Sequence, residues 1–135
     1  MDNEQFIKIR KQIDIELNIT PDNVHMKAIE APLYTSRYYN IYINEKRILD
    51  NTVAKRDKVY YDLWIEHKYN KQYTLNTKLE VEAFIYSNEK YQSLVRKCKE
   101  QEYVVDYFDE HIKVFKNLTY ACTTFLNYRK LKEGK

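Results

Sequence analysis

The chain has 135 residues, 44% apolar and 32% charged, which suits one domain or two small helical layers and marks the chain as globular rather than disordered. A net charge of +3 excludes a polycation, so any surface for nucleic acid has to come from local segregation of charge. Gly134 is the single glycine, and Pro21 and Pro32 are the only prolines. That scarcity excludes a phosphate-cradling loop or a nucleophile elbow and argues against a sheet-rich fold with many tight turns.

The first predicted helix is DNEQFIKIRKQIDIELN, with Asp2 and Gln5 at capping-box spacing and Phe6, Ile9, Ile13 and Leu17 on one stripe. Thr20-Pro21-Asp22 reads as a second helix start, with threonine as cap and proline in the first turn. Pro32 is expected to kink or break that second helix, so the long helix is placed from about 33 to 67. Its apolar stripe is Tyr34, Tyr38, Ile41, Ile48, Leu49, Thr52, Val59, Tyr60 and Leu63. The polar run HKYNKQYTLN reads as a connecting loop. Thr77 and Glu80 then form a capping box before a short helix, although LEVEAFIY also alternates weakly enough for a short strand.

Ser87-Asn88-Glu89 opens the longest pattern, which runs without glycine or proline to about Lys132. With Tyr91 at heptad position a, the a and d positions include Leu94, Val105, Phe108, Ile112, Phe115 and Leu126. This is a coiled-coil-like seam, and self-association is its natural cover. The alternative is antiparallel packing against the chain's own helix 33–67. The expected fold is all-α, with long helices and a C-terminal coiled-coil-like helix forming an oligomeric assembly. Residues 1–72 make the N-terminal helical region and 73–135 the oligomerisation region.

No catalytic, metal or cofactor site is legible. His25, His67 and His111 are far apart and lack ligands at metal spacing, and Cys98 and Cys122 form no C-x-x-C pair. The acid pairs Glu80/Glu82 and Asp109/Glu110 do not face each other on a helix. Two cysteines without a signal peptide suggest reduced, buried thiols in a cytoplasmic protein, and no apolar run is long enough for a membrane span.

Charge segregation is strongest in the middle, with eight basic and five acidic residues in 31–75. At about 100° per residue, Arg37, Arg47, Lys55 and Lys58 fall within about 80° of one another, alongside Asn44 and Asn51. Tyr61 projects beside this face, while Tyr60 and Leu63 turn inward. Arg56 falls on the apolar side, as an interface ion pair or a residue facing a ring lumen. Such a face suits the phosphates of a single strand. Its plainer explanation is an ordinary solvated helix surface.

The segments LYTSRYY, NEKRILDNTVAKR, KLEVEAFIYSNEKYQSL and FLNYRKLKEGK, in this order and register, resemble the UvsY recombination mediators of tailed phages. The resemblance implies a homo-oligomeric ring, a hexamer or heptamer, that binds single-stranded DNA. It also implies contacts with a phage recombinase and a phage single-strand-binding protein, no enzymatic activity, no cofactor and a place in the host cytoplasm. A protein-binding helical adaptor is the alternative. Two departures stand out. Val59-Tyr60-Tyr61-Asp62 occupies the register of the family's Leu-Lys-Ala-Arg-type segment, so the charges sit a turn earlier, at Lys55, Arg56 and Lys58. Leu118-Thr119 replaces the family's Arg-Gly, which favours an unbroken final helix.

Overall fold

The structure, a computed structural model, describes residues 1–69 and 77–134. Among these residues there are five helices and no strand: α1 (Asn3–Leu17), α2 (Val24–Tyr69), α3 (Lys78–Ser87), α4 (Glu89–Lys116) and α5 (Leu118–Lys132). The all-helical expectation is met, and LEVEAFIY is helical rather than extended. Thr77 starts α3 by accepting the Glu80 N–H, and Asn88 starts α4 by accepting the Tyr91 N–H at 3.0 Å. The capping box at Asp2 and Gln5 is formed in both directions.

Three boundaries differ from the sequence reading. First, α2 runs unbroken from Val24 with Pro32 inside it. The exposed proline removes one N–H, which costs one hydrogen bond but not the helix when both flanking turns are packed. Second, Thr20 does not cap α2 but opens a turn. Its carbonyl accepts from Asn23 and Val24, and the Asn23 side chain accepts the Thr20 N–H at 2.8 Å and donates to the Asn18 carbonyl. Third, the final helix is interrupted at Asn117, where the backbone reaches ψ 0 and the N–H is shared between the Lys113 and Val114 carbonyls. Leu118 is consequently buried and Thr119 exposed, the reverse of what an uninterrupted heptad requires. Of the predicted loop, His67–Tyr69 belongs to α2, and the remainder lies outside the described residues.

The chain forms two compact units, Met1–Glu45 with Val104–Lys135, and Lys46–Tyr103. Both α2 and α4 contribute to each unit. The first unit joins α1, the start of α2, the end of α4, and α5. Ile13, Val24, Tyr38, Phe108, Ile112, Phe115, Leu118 and Cys122 form its core. Tyr38 stacks on Phe115 at 5.0 Å and on Phe108 at 6.3 Å, while Phe6 meets Tyr107 edge-on at 5.2 Å.

A polar network is buried in the same unit. Glu16 accepts from Gln12, from Arg37 at 3.0 Å and from the Tyr38 hydroxyl at 2.7 Å. The buried Lys27 ammonium donates to the Ile15 and Glu16 carbonyls, so a lysine of α2 serves the C-terminal end of α1.

In the second unit, Leu49, Val81, Ile85 and Cys98 are buried. His67 lies against Phe84, and Tyr60 meets Tyr86 and Tyr91, which ties α2 to α3 and α4. Ile48, placed on the packed stripe from sequence, is 42% exposed. It sits one residue, or about 100°, away from buried Leu49.

Candidate nucleic-acid interface

The basic face divides between the two units. Arg37 lies in the first, and its guanidinium is already engaged: it pairs with Glu16 and lies 5.6 Å and 5.9 Å from the Tyr34 and Tyr38 ring centroids. The side chain remains half exposed.

Arg47, Lys55, Arg56, Lys58 and Tyr61 lie in the second unit. Arg47, Lys55 and Lys58 are exposed and make no ion pair among the described residues. Spaced over eleven residues of one helix, Arg47 to Lys58 span about 16 Å. Tyr61 is 62% exposed, which leaves its ring open beside these cations. Arg56 is different: it is half-buried and paired with Asp57 at 3.1 Å. The Asp57 hydrogen bond and charge hold its proton more tightly, against the opposing effect of burial. Neighbouring Lys46 is also occupied, by Asp50 at 3.9 Å.

Free cations on a rigid helix are what a polyanion can exploit, because each phosphate contact releases a condensed counterion. An exposed tyrosine supplies a surface on which a base can stack, whatever its identity.

The heptad seam faces inward. Val105, Phe108, Ile112 and Phe115 are all buried within the chain, and Leu94 and Leu126 are half-buried. Phe108, Ile112 and Phe115 pack with residues of α1 and α2, the intramolecular alternative weighed from the sequence. The apolar side chains left in water lie elsewhere. They include Met26, Ile29 and Leu33 on α2, at 56%, 71% and 66% exposure. On α5 they are Tyr120, Tyr128 and Leu131, also strongly exposed. Of these only Tyr120 stood out in the sequence, through its place in the family's C-terminal motif, although both sets recur at helical spacing.

Cys98 and Cys122 are free and buried, as expected. No helix of the described residues is long and apolar enough to cross a membrane. Among those residues no group of three or more His, Cys, Asp or Glu could hold a metal ion.

Fold and face together define an all-helical protein presenting unpaired cations along one long helix. The chain belongs to the UvsY family: the model of the family described as "Recombination, repair and ssDNA binding protein UvsY" matches residues 11–135. It is similar in fold to two crystal structures of the bacteriophage T4 recombination mediator protein UvsY. The first aligns at TM-score 0.81 with 10% identity, covering 98% of each chain. The second, from another lattice, aligns at TM-score 0.78 with 10% identity, covering 94% of this chain and 98% of that one. No curated protein matches the chain.

Proposed function

We propose that the chain is a recombination mediator that binds single-stranded DNA and helps a phage recombinase replace the single-strand-binding protein on that strand. It does so without catalysing a reaction, in the host cytoplasm. Membership of the UvsY family carries this reading. The exposed, unpaired Arg47, Lys55 and Lys58 with Tyr61 supply its chemistry, and Arg56 and Arg37 are secondary because carboxylates already hold them.

The proposed assembly is a homo-oligomer, a hexamer or heptamer. With the seam from Val105 to Phe115 used inside the chain, the exposed apolar residues of α2 and α5 are the surface a second copy would cover. Leu94 and Leu126, both half-buried, remain available to it in part.

The test is binding of a poly-dT strand as a function of salt. A negative slope of log affinity against log salt is expected, and replacing Lys55 and Lys58 together with alanine should reduce it by about two. A flat slope for the native chain would remove the phosphate-binding claim. Light scattering with and without the strand measures the assembly. A monomer under both conditions would remove the oligomer.

A further inference from the structure

The second unit also carries a cleft of about 320 Å³ where α3 meets α4, lined by Tyr86, Tyr91, Gln92, Val95 and Arg96. Its position derives from Asn88. That residue ends α3, with its N–H bonded to the Ile85 carbonyl, and caps α4 through its side chain. The chain turns at this point, so Tyr86 on one helix and Tyr91, Gln92 and Arg96 on the next share one concavity.

The cleft is rigid on its aromatic side. Tyr60, Tyr86 and Tyr91 form a closed triangle of rings with centroids 6.5, 5.9 and 6.0 Å apart. The Gln92 amide donates to the Tyr86 carbonyl at 2.9 Å and holds that turn of backbone. Tyr86 nevertheless keeps 53% of its surface in water. A large ring fixed in place and left half exposed loses little freedom when another ring stacks on it. Arg96 is exposed and makes no ion pair among the described residues. Two acids act on the ring triangle, Glu82 at Tyr60 and Asp57 at Tyr91, and each already meets a cation: Lys78 reaches Glu82 at 3.8 Å and Arg56 reaches Asp57 at 3.1 Å. An aromatic platform beside a free planar cation matches a base joined to its phosphate.

We propose that this cleft seats one nucleotide of a single strand, with its base against Tyr86 and its phosphate on Arg96. The inference rests on the single-strand-binding reading above and adds a base-binding position that the basic helix face does not provide. Stacking is tolerant of base identity, so the cleft selects a base over an abasic sugar rather than one base over another.

The experiment compares a dT oligonucleotide with an abasic oligonucleotide of equal length and charge, using native chain, Tyr86→Ala, Tyr86→Phe and Arg96→Ala. Tyr86→Ala should lose about tenfold in affinity for dT and nothing for the abasic strand. Tyr86→Phe should bind like the native chain, and Arg96→Ala should lower the salt slope by about one on both strands. Circular dichroism melts confirm that each variant is folded, and Arg96→Ala, being exposed, tests the cleft even if Tyr86→Ala is not. Native dT affinity in Tyr86→Ala, equal losses on both strands, or an unchanged slope in Arg96→Ala would overturn the proposal. If those results came with dT binding that Lys55→Ala and Lys58→Ala abolish, the cleft would fail while single-strand binding stood. If the native chain bound neither strand, both would fall.

Discussion

Thr119 donates its hydroxyl to the Ala28 carbonyl at 3.4 Å, and that carbonyl is the one Pro32 leaves without a helical N–H. A residue of α5 thus meets the oxygen that the proline orphans in α2, which helps explain why α2 continues through it. A double-mutant cycle tests the relationship. Pro32→Ala restores the N–H and should stabilise the chain by up to about 3 kcal/mol in urea unfolding. Thr119→Val should cost about 0.5–1.5 kcal/mol in the native background and close to nothing beside Pro32→Ala. Equal costs in both backgrounds would show that the hydroxyl does not replace the missing donor.

The Glu16 network should respond sharply to loss of one partner. Tyr38→Phe removes the 2.7 Å bond and leaves a buried carboxylate oxygen short of a donor, at a cost of about 1–3 kcal/mol. Lys27→Met removes both bonds to the end of α1 and should cost about 2 kcal/mol. Denaturant midpoints at neutral pH measure both. A Tyr38→Phe chain as stable as the native one would mean that Arg37 and Gln12 satisfy Glu16 by themselves.

Alkaline titration should place Tyr34 and Tyr38 among the last phenols to ionise. The hydrogen bond to Glu30, then burial, pushes the Tyr34 phenol from 10.0 up to about 12. Burial, then the hydrogen bond to Glu16, pushes Tyr38 higher still. A folded pKa above the unfolded one gives stability that is fully present below pH 10 and lost as pH rises through about 12. Absorbance at the phenolate band should therefore show a late-ionising set that includes Tyr34 and Tyr38, with burial also raising Tyr60, Tyr91 and Tyr107, and urea midpoints should fall between those pH values. Fourteen phenols titrating together would contradict the geometry.

The inward seam makes Phe108 a folding residue. Phe108→Ala should cost about 3–5 kcal/mol, because it is 0% exposed and packs on Phe6 and Tyr38. Tyr128→Asp and Leu131→Asp should leave the melting temperature nearly unchanged, since both side chains are exposed, but should lower the mass in solution. A Phe108→Ala chain of native stability and reduced mass would return the seam to the interface between copies.

Helix periodicity was enough to place Lys55, Lys58 and Tyr61 on the wet side of α2 and Tyr60 and Leu63 toward the packing, because phase along one helix needs only the local rotation per residue. It could not show that Arg37 is engaged, since its partner Glu16 lies 21 residues away. Nor could it place Tyr86 beside Arg96, because the phase relation lapses at Asn88, where one helix ends and another begins.

The sequence by itself determined that this chain is helical, that helices start at Asp2, at Thr77 and within Ser87-Asn88-Glu89, and that Arg47, Lys55 and Lys58 share one helix face. All of these depend on residues within a turn or two of each other. The tertiary structure decided the rest. It carried α2 through Pro32, interrupted the final helix at Asn117, and turned the Phe108 to Phe115 seam into the chain's own core. Those outcomes depend on apolar burial and on hydrogen bonds between residues as far apart as Ala28 and Thr119, contacts that no local pattern encodes.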